Sequence, residues 1–140
     1  MDTIPNCFYR VSVKALILNE TRDKFLLCKE EDGRWELPGG GLDWGATPQE
    51  DLPREIMEEM GLEIEWMAEH PSYFITGQST NYPEVKIANV IYETKLKNLN
   101  FTPSDECIEI RFVGPEEIKE MNTFDGPEKL AEIFDSNNHR

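Results

Sequence analysis

The sequence predicts a mixed α/β or α+β domain, a sheet with helices on its faces, and three observations carry that prediction. Short stretches rich in β-branched and aromatic residues recur along the chain, a strongly capped helical segment interrupts them after Ala46, and two more helical segments close the sequence. At 140 residues the chain fits one domain, 1–140, around a single core. Its hydrophobic content of 39%, with Trp35, Trp44 and Trp66, is ample for a packed interior and too rich for disorder.

Tyr9 to Leu18 and Phe25 to Cys28 read as two strands, and the turn-like Asn19 to Asp23 between them predicts a hairpin. Trp35 to Leu37 is a brief apolar piece before Pro38 and the glycine loop Gly39 to Gly41. Thr47 to Met60 carries helical signals: Thr47 as N-cap, Pro48 at the first helical position and Glu50 three residues after the cap. Gly61 is placed to end that helix. Leu62 to Trp66, Tyr73 to Thr76, Val85 to Thr94 and Ile108 to Val113 are further strands, and Pro115 to Met121 and Pro127 to Phe134 are two closing helices. The tail Asp135 to Arg140 is expected to fray.

A formal net charge of -14 opposes nonspecific attraction to nucleic-acid phosphate, so no nucleic-acid duplex is expected as a partner, and a polyphosphate ligand needs a cation as intermediary. Cys7, Cys28 and Cys107 are odd in number and contain no C-x-x-C pair, which suggests reduced, structural thiols rather than a disulfide framework or a thiolate zinc site. His70 and His139 stand alone and read as surface or cap residues. No basic start followed by an apolar run opens the chain, and no segment approaches the roughly 18–20 apolar residues of a membrane span. A soluble, cytoplasmic protein with no membrane partner is expected, and a homodimer is left open.

The central helix carries the chemistry. At about 100° per residue, Leu52, Ile56, Met57 and Met60 are assigned to a buried side, and Asp51, Arg54, Glu55, Glu58 and Glu59 to the other. Glu55, Glu58 and Glu59 stand at i, i+3 and i+4, near enough for their oxygens to converge on a hard cation such as Mg2+ or Mn2+. Taken alone, such a run is more often a solvated acidic face in an acidic protein. The loop changes that weighting, because Gly39, Gly40 and Gly41 remove side chains where backbone can approach a metal or phosphate, directly before the acidic helix.

This constellation resembles the Nudix hydrolase family, whose box reads G-x5-E-x7-R-E-U-x-E-E-x-G-U with U aliphatic. The box can be laid on Gly40, Ala46, Arg54, Glu55, Ile56, Glu58, Glu59, Gly61 and Leu62, and every fixed position but one matches. WELPGG before the box, VSVKALIL and LLCKE upstream and FVGPEEI downstream are also similar to the family, so the resemblance covers about the whole chain. It implies an α/β/α sandwich around a mixed β-sheet and metal-dependent hydrolysis of a pyrophosphate bond in a nucleoside diphosphate linked to another group. By the same resemblance Glu55, Glu58, Glu59 and Arg54 are the expected catalytic residues. Glu58 and Glu59 would be the main ligands of Mg2+ or Mn2+, with Glu55 a further ligand or the general base and the Gly39 or Gly40 carbonyl completing the shell. Glu106 resembles the additional acid that family members often take from a later loop, a plain solvated loop acid being the other reading.

Ala46 departs from the pattern, standing where the family has its first box glutamate. Arg54 thereby loses its expected partner and is left to Glu58, Glu50 or Asp51, and Ala46→Glu is expected to strengthen metal binding modestly. Pro53 lies inside the helix, where it removes one backbone bond and predicts a kink or a late helix start. Two function classes follow: an active pyrophosphohydrolase, and a Nudix-fold module that binds a nucleotide-type ligand or a protein partner with little or no hydrolysis. Substrate identity is not legible, since the places where family subgroups for ADP-ribose and diadenosine polyphosphates carry a proline and a tyrosine hold Gly77 and Ser79. Tyr73, Phe74 and Tyr82 could stack on a base, although aromatics at strand spacing are more often core.

Overall fold

Two hydrophobic cores arise from alternation along the first two strands. In the computed structural model, which describes residues 8–139, the strands are β1 (Tyr9–Leu16), β2 (Phe25–Lys29), β3 (Trp35–Glu36), β4 (Gly39–Gly41), β5 (Ile64–Met67), β6 (Tyr73–Gln78), β7 (Lys86–Leu96) and β8 (Glu109–Val113). The helices are α1 (Pro48–Met60), α2 (Pro115–Ile118) and α3 (Asp125–Ile133). Val13 and Ala15 of β1 with Leu26 and Cys28 of β2 pack against Leu52, Ile56 and Met60 of α1. Their sequence neighbours Leu16, Phe25 and Leu27 face the other way, onto Ile118 of α2 and Leu130 of α3. The result is a three-layer α/β/α sandwich. Among the described residues no helix is long and apolar enough to cross a membrane.

The middle layer holds two sheets. In the larger, β1 lies between β4, antiparallel to it, and β7, parallel to it from Tyr9↔Lys86 to Leu16↔Glu93; the far edge of β7 takes β6 and β5, both antiparallel. The sheet is therefore mixed. The smaller sheet runs β3-β2-β8, with both pairs antiparallel.

The expected hairpin between the first two strands does not form. Leu18 and Phe25 make one isolated bridge, but β1 and β2 then diverge into different sheets, because β2 finds its full register against β8 and β1 finds its own against β7. The glycine segment is likewise a strand rather than a loop: Gly39, Gly40 and Gly41 pair with Lys14, Val13 and Ser12. Instead of fraying, His139 is buried, its imidazole bonded to Tyr73 Oη and Glu93 Oε1 at 2.8 Å each and stacked on Phe134. Cys28 and Cys107 are free and buried, and Cys7 lies outside the described residues.

Helix α1 begins where its signals place it. Glu50 N–H donates to Thr47 Oγ1 and the Glu50 carboxylate accepts from Thr47 N–H, a closed capping box, and Gly61 ends the helix at φ 66° with its N–H on the Met57 carbonyl. The helix runs unbroken from Pro48, so Pro53 does not delay its start. Leu52, Ile56 and Met60 are fully buried, each contributing about 1.5–3 kcal/mol of transfer free energy.

Two assignments on this helix are corrected: Met57 is 45% exposed, and Glu59 is only 6% exposed. The helical period explains both. Seven residues past Leu52, Glu59 returns to within about 20° of it, whereas Met57 lies about 140° away on the flank. Glu59 thus enters the protein between the apolar residues, and Asp51, at 5% exposure, is also buried rather than on an open face.

Candidate active site

The site begins with the close approach of β4 to β1 and α1. Pro38 carbonyl accepts the Ala15 N–H at 2.9 Å and draws the chain onto β1. Gly39 has φ 129°, and a Cβ there would sit 2.0 Å from the Val13 carbonyl oxygen, so only glycine fits. A Cβ on Gly40 would fall 2.7 Å from the Glu55 carboxylate, which occupies that space.

The buried Glu59 reaches the same strand, its Oε1 accepting the Gly39 N–H at 2.8 Å. Burial pushes its pKa up to about 8, with Cys107 and Glu55 adding to the rise and Lys14 and the Gly39 N–H opposing it. Glu55 is shifted upward as well, first by burial and then by the charges of Glu58 and Glu106, against the pull of Arg54 and Lys14. Glu58 points elsewhere: its exposed carboxylate pairs with Arg54 at 3.1 Å.

Arg54 is held by more than Glu58. Its Nη2 lies 3.0 Å from Asp43 Oδ2, 3.3 Å from Asp51 Oδ1 and 3.4 Å from Glu55 Oε1. Asp51 Oδ2 also accepts the Asp43 N–H at 2.7 Å, fastening the β4–α1 connection to the helix. These acids, Glu58 first and Asp51 next, raise the Arg54 pKa above its already high ordinary value. Of the partners offered by the sequence, Glu58 and Asp51 form and Glu50 does not, because its carboxylate is spent on the cap. Asp43 is a partner that sequence reasoning missed. Its signal was present, an acid three residues before Ala46 in a loop that returns to the helix.

Glu106 is exposed in the turn before β8, its N–H donating to Ser104 Oγ, whose hydroxyl donates to the Glu59 carbonyl at 2.7 Å. That turn is tied to the end of α1, close enough for Glu106 to raise Glu55. Among the described residues no three His, Cys, Asp or Glu groups are already gathered around one point at metal-holding separation. Glu59 and Glu55 meet the glycine strand, while Glu58 is turned onto Arg54. The residues nonetheless fit a hard cation. All the donors are oxygens, and two of the acids share a partly buried space with excess negative charge, so their proton affinity rises. Rotation of the exposed Glu58 side chain is the adjustment required.

Beside Gly41 opens a cleft of about 670 Å³, lined among others by Arg10, Ser12, Lys14, Arg34, Asn89 and Phe124. Alternation along β1 sets Arg10, Ser12 and Lys14 on this one side. Lys14 is nearly buried and its Nζ donates to the Leu37 carbonyl at 3.4 Å. The Arg34 guanidinium, fixed by Asp32 at 2.8 Å, lies 3.8 Å above the Phe124 ring. None of these cations was singled out from sequence, although the period of two in R-V-S-V-K was there to find them. Of the three aromatics suggested for stacking, Tyr82 borders the cleft, Phe74 is exposed away from its lining and Tyr73 packs on Phe134 and His139.

Comparison with known proteins agrees with this arrangement. The NUDIX domain family matches residues 8–134. A MutT protein from Methanosarcina mazei Go1 superposes with a TM-score of 0.77 at 26% identity, over 98% of this chain and 100% of that one. An ADP-ribose pyrophosphatase from Streptococcus suis 89-1591 gives a TM-score of 0.62 at 27% identity, covering 88% of this chain and 84% of that one. An RNA pyrophosphohydrolase of Helicobacter pylori strain G27 is 39% identical over 71 residues, 46% of this chain and 46% of that protein. The chain spans about half the length of the first curated relatives it matches. Hydrolases of this family generally use divalent metal ions. With the family match running through β1 to α3 and two of the three box acids, Glu55 and Glu59, meeting the glycine strand, the chain belongs to the NUDIX domain family.

Proposed function

We propose that the chain is a pyrophosphohydrolase that cleaves the pyrophosphate bond in a nucleoside diphosphate linked to another group, using Mg2+ or Mn2+. The observation that carries this reading is the contact of two α1 acids with the glycine strand, Glu59 on the Gly39 N–H and Glu55 in the space above Gly40. Glu58, Glu59 and the Gly40 carbonyl are the oxygens that would hold the ion, which leaves Glu55 as the base. When bound, it supplies Lewis-acid neutralisation of phosphate charge and activation of water.

The chain's own residues do the rest. Glu55, its proton affinity raised by burial and by Glu58 and Glu106, takes the proton as water attacks phosphorus in line and the bridging P–O bond breaks, leaving two phosphate-ended products. Glu106 is the additional acid, acting on Glu55 through its charge. Arg54 is a positioning residue that locks the β4–α1 connection through Asp43 and Asp51. Arg10 and Lys14 offset substrate charge in a chain of net charge -14, and the Arg34–Phe124 stack offers a flat wall to a base. The alternative of a non-hydrolysing binding module drew on Ala46 and Pro53; Asp43 and Asp51 provide the carboxylates that position 46 lacks, and α1 runs through Pro53.

The test is a panel of nucleoside triphosphates, nucleotide sugars and dinucleoside polyphosphates, with products separated by anion exchange. Cleavage of at least one class with magnesium or manganese, and none in excess EDTA, is expected. Cleavage undiminished by EDTA, or no cleavage of any class, would overturn the reading.

A further inference from the structure

Outside the main cleft, a second cavity of about 440 Å³ lies between the start of β1 and the β4–α1 connection. Its walls are mostly apolar, from Phe8, Tyr9, Val11, Leu42 and Trp44. Phe8 and Tyr9 are more than half exposed, and Trp44 is fully exposed. A backbone bond from Leu42 N–H to the Val11 carbonyl, 2.9 Å, holds the two walls together, so the aromatics are presented from a braced frame. Three exposed aromatics lining one groove are more than scattered surface apolar residues, which need no partner.

Arg10 joins this groove to the main cleft, since it and Val85 line both. The guanidinium lies directly over Gly41, where a Cβ would be 2.2 Å from Nη2. Arg34, Arg54 and Arg111 are ion-paired and Arg22 donates to the His139 carbonyl, whereas Arg10 has no such partner among the described residues. Arg10, with no ion pair among the described residues of a chain of net charge -14, therefore marks the passage between a cleft with one flat wall, the Arg34–Phe124 stack, and a groove with several aromatic ones. A ligand that follows this path carries anionic groups at its centre and a planar apolar group at each end. The single cation favours one further nucleoside over a longer nucleic-acid strand, whose additional phosphates would meet net negative charge.

We propose that the groove of Phe8, Tyr9 and Trp44 binds the second nucleobase of a dinucleoside polyphosphate, whose phosphates cross Arg10 from the main cleft. This rests on the pyrophosphohydrolase reading and names the substrate class of that site. Trp44 gives a stacking surface and Arg10 anchors the phosphate beside it.

The experiment compares Trp44→Ala with the parent on a dinucleoside polyphosphate, the matching nucleoside triphosphate and a 5′-triphosphorylated oligonucleotide. Loss of one stacked base should lower kcat/KM for the dinucleoside roughly tenfold more than for the triphosphate. Equal losses, or none, overturn the assignment, and a loss confined to the oligonucleotide gives the groove to an RNA end instead. Binding is read independently, by tryptophan fluorescence with calcium in place of magnesium. The dinucleoside should quench the parent more than Trp44→Phe, and equal quenching in both overturns the groove even where turnover is normal. Absence of turnover on every compound, with the Trp44-dependent quench intact, would instead strike the hydrolase reading and leave the groove standing.

Discussion

Asp43 Oδ2 lies 3.0 Å from Arg54 Nη2, and Asp51, which accepts the Asp43 N–H at 2.7 Å, approaches the same nitrogen at 3.3 Å. The arginine of the box is therefore supplied with carboxylates from a position three residues earlier and from one helical turn behind. Ala46 leaves no vacancy at Arg54. In Ala46→Glu the added carboxylate meets a guanidinium already ringed by Asp43, Asp51 and Glu58 and adds negative charge beside the acid cluster. Magnesium binding by calorimetric titration should be unchanged or a few-fold weaker, the reverse of the expectation from sequence. A gain of about tenfold, the size of one charge-assisted bond, would show that Asp43 and Asp51 are poor replacements.

Asp51 is the structural member of the pair. It is buried and satisfies a backbone donor, so Asp51→Ala should destabilise the protein by about 1–3 kcal/mol in urea denaturation. Asp51→Asn, which keeps an acceptor for the Asp43 N–H, should recover part of that loss. Equal stability of all three proteins would remove the lock from the account.

Neighbouring glycines should fail in different ways. Alanine at Gly39 drives a Cβ into the β1 backbone at a φ that L residues avoid, so Gly39→Ala should unfold the chain or cost several kcal/mol. Gly40→Ala meets only the end of the Glu55 side chain, which can swing aside. Its melting temperature should stay near that of the parent while metal-dependent turnover falls. A fully active Gly40→Ala protein would place Glu55 outside the chemistry.

Glu59 predicts a pH dependence of the metal-free protein. Its folded pKa is about 8 against an ordinary value of 4.5. Between those values the folded state keeps a proton that the unfolded state has lost, so this group makes the protein less stable as pH rises, by about 1.4 kcal/mol per pH unit. Denaturation in EDTA should show the parent losing stability relative to Glu59→Gln from pH 5 to pH 8, because glutamine has no charge to bury. The two curves should level relative to each other above about pH 8. A constant difference across the range would mean that Glu59 titrates normally.

How much of this was legible in the sequence depends on the range of the interaction. The capping box and the αL glycine are local signals, and they held: Thr47, Glu50 and Gly61 act as read, and the order of elements held except at the glycine segment, which is a strand. The resemblance carried the family. Partner choice between strands was not legible, because the turn after Leu18 favours a hairpin locally while the separate registers of β1 with β7 and β2 with β8 are long-range. Glu59 was misplaced for a simpler reason, its charge having outweighed its helical angle. His139 seemed a solitary tail residue because Tyr73 and Glu93, which hold it, are far off in sequence. Arg10 and Lys14 became meaningful only when β1 was shown to border a cleft.

Whether α1 and the glycine strand form a metal-dependent hydrolytic site is read from the turnover of Glu59→Gln and Glu58→Gln beside their melting temperatures. Both substitutions keep size and hydrogen-bonding capacity while removing an anionic ligand, so kcat/KM at saturating magnesium should fall by orders of magnitude with melting temperature maintained, or raised for Glu59→Gln near pH 8. Turnover within a few-fold of the parent in both variants, with the fold intact, would mean that these acids do not hold a catalytic metal.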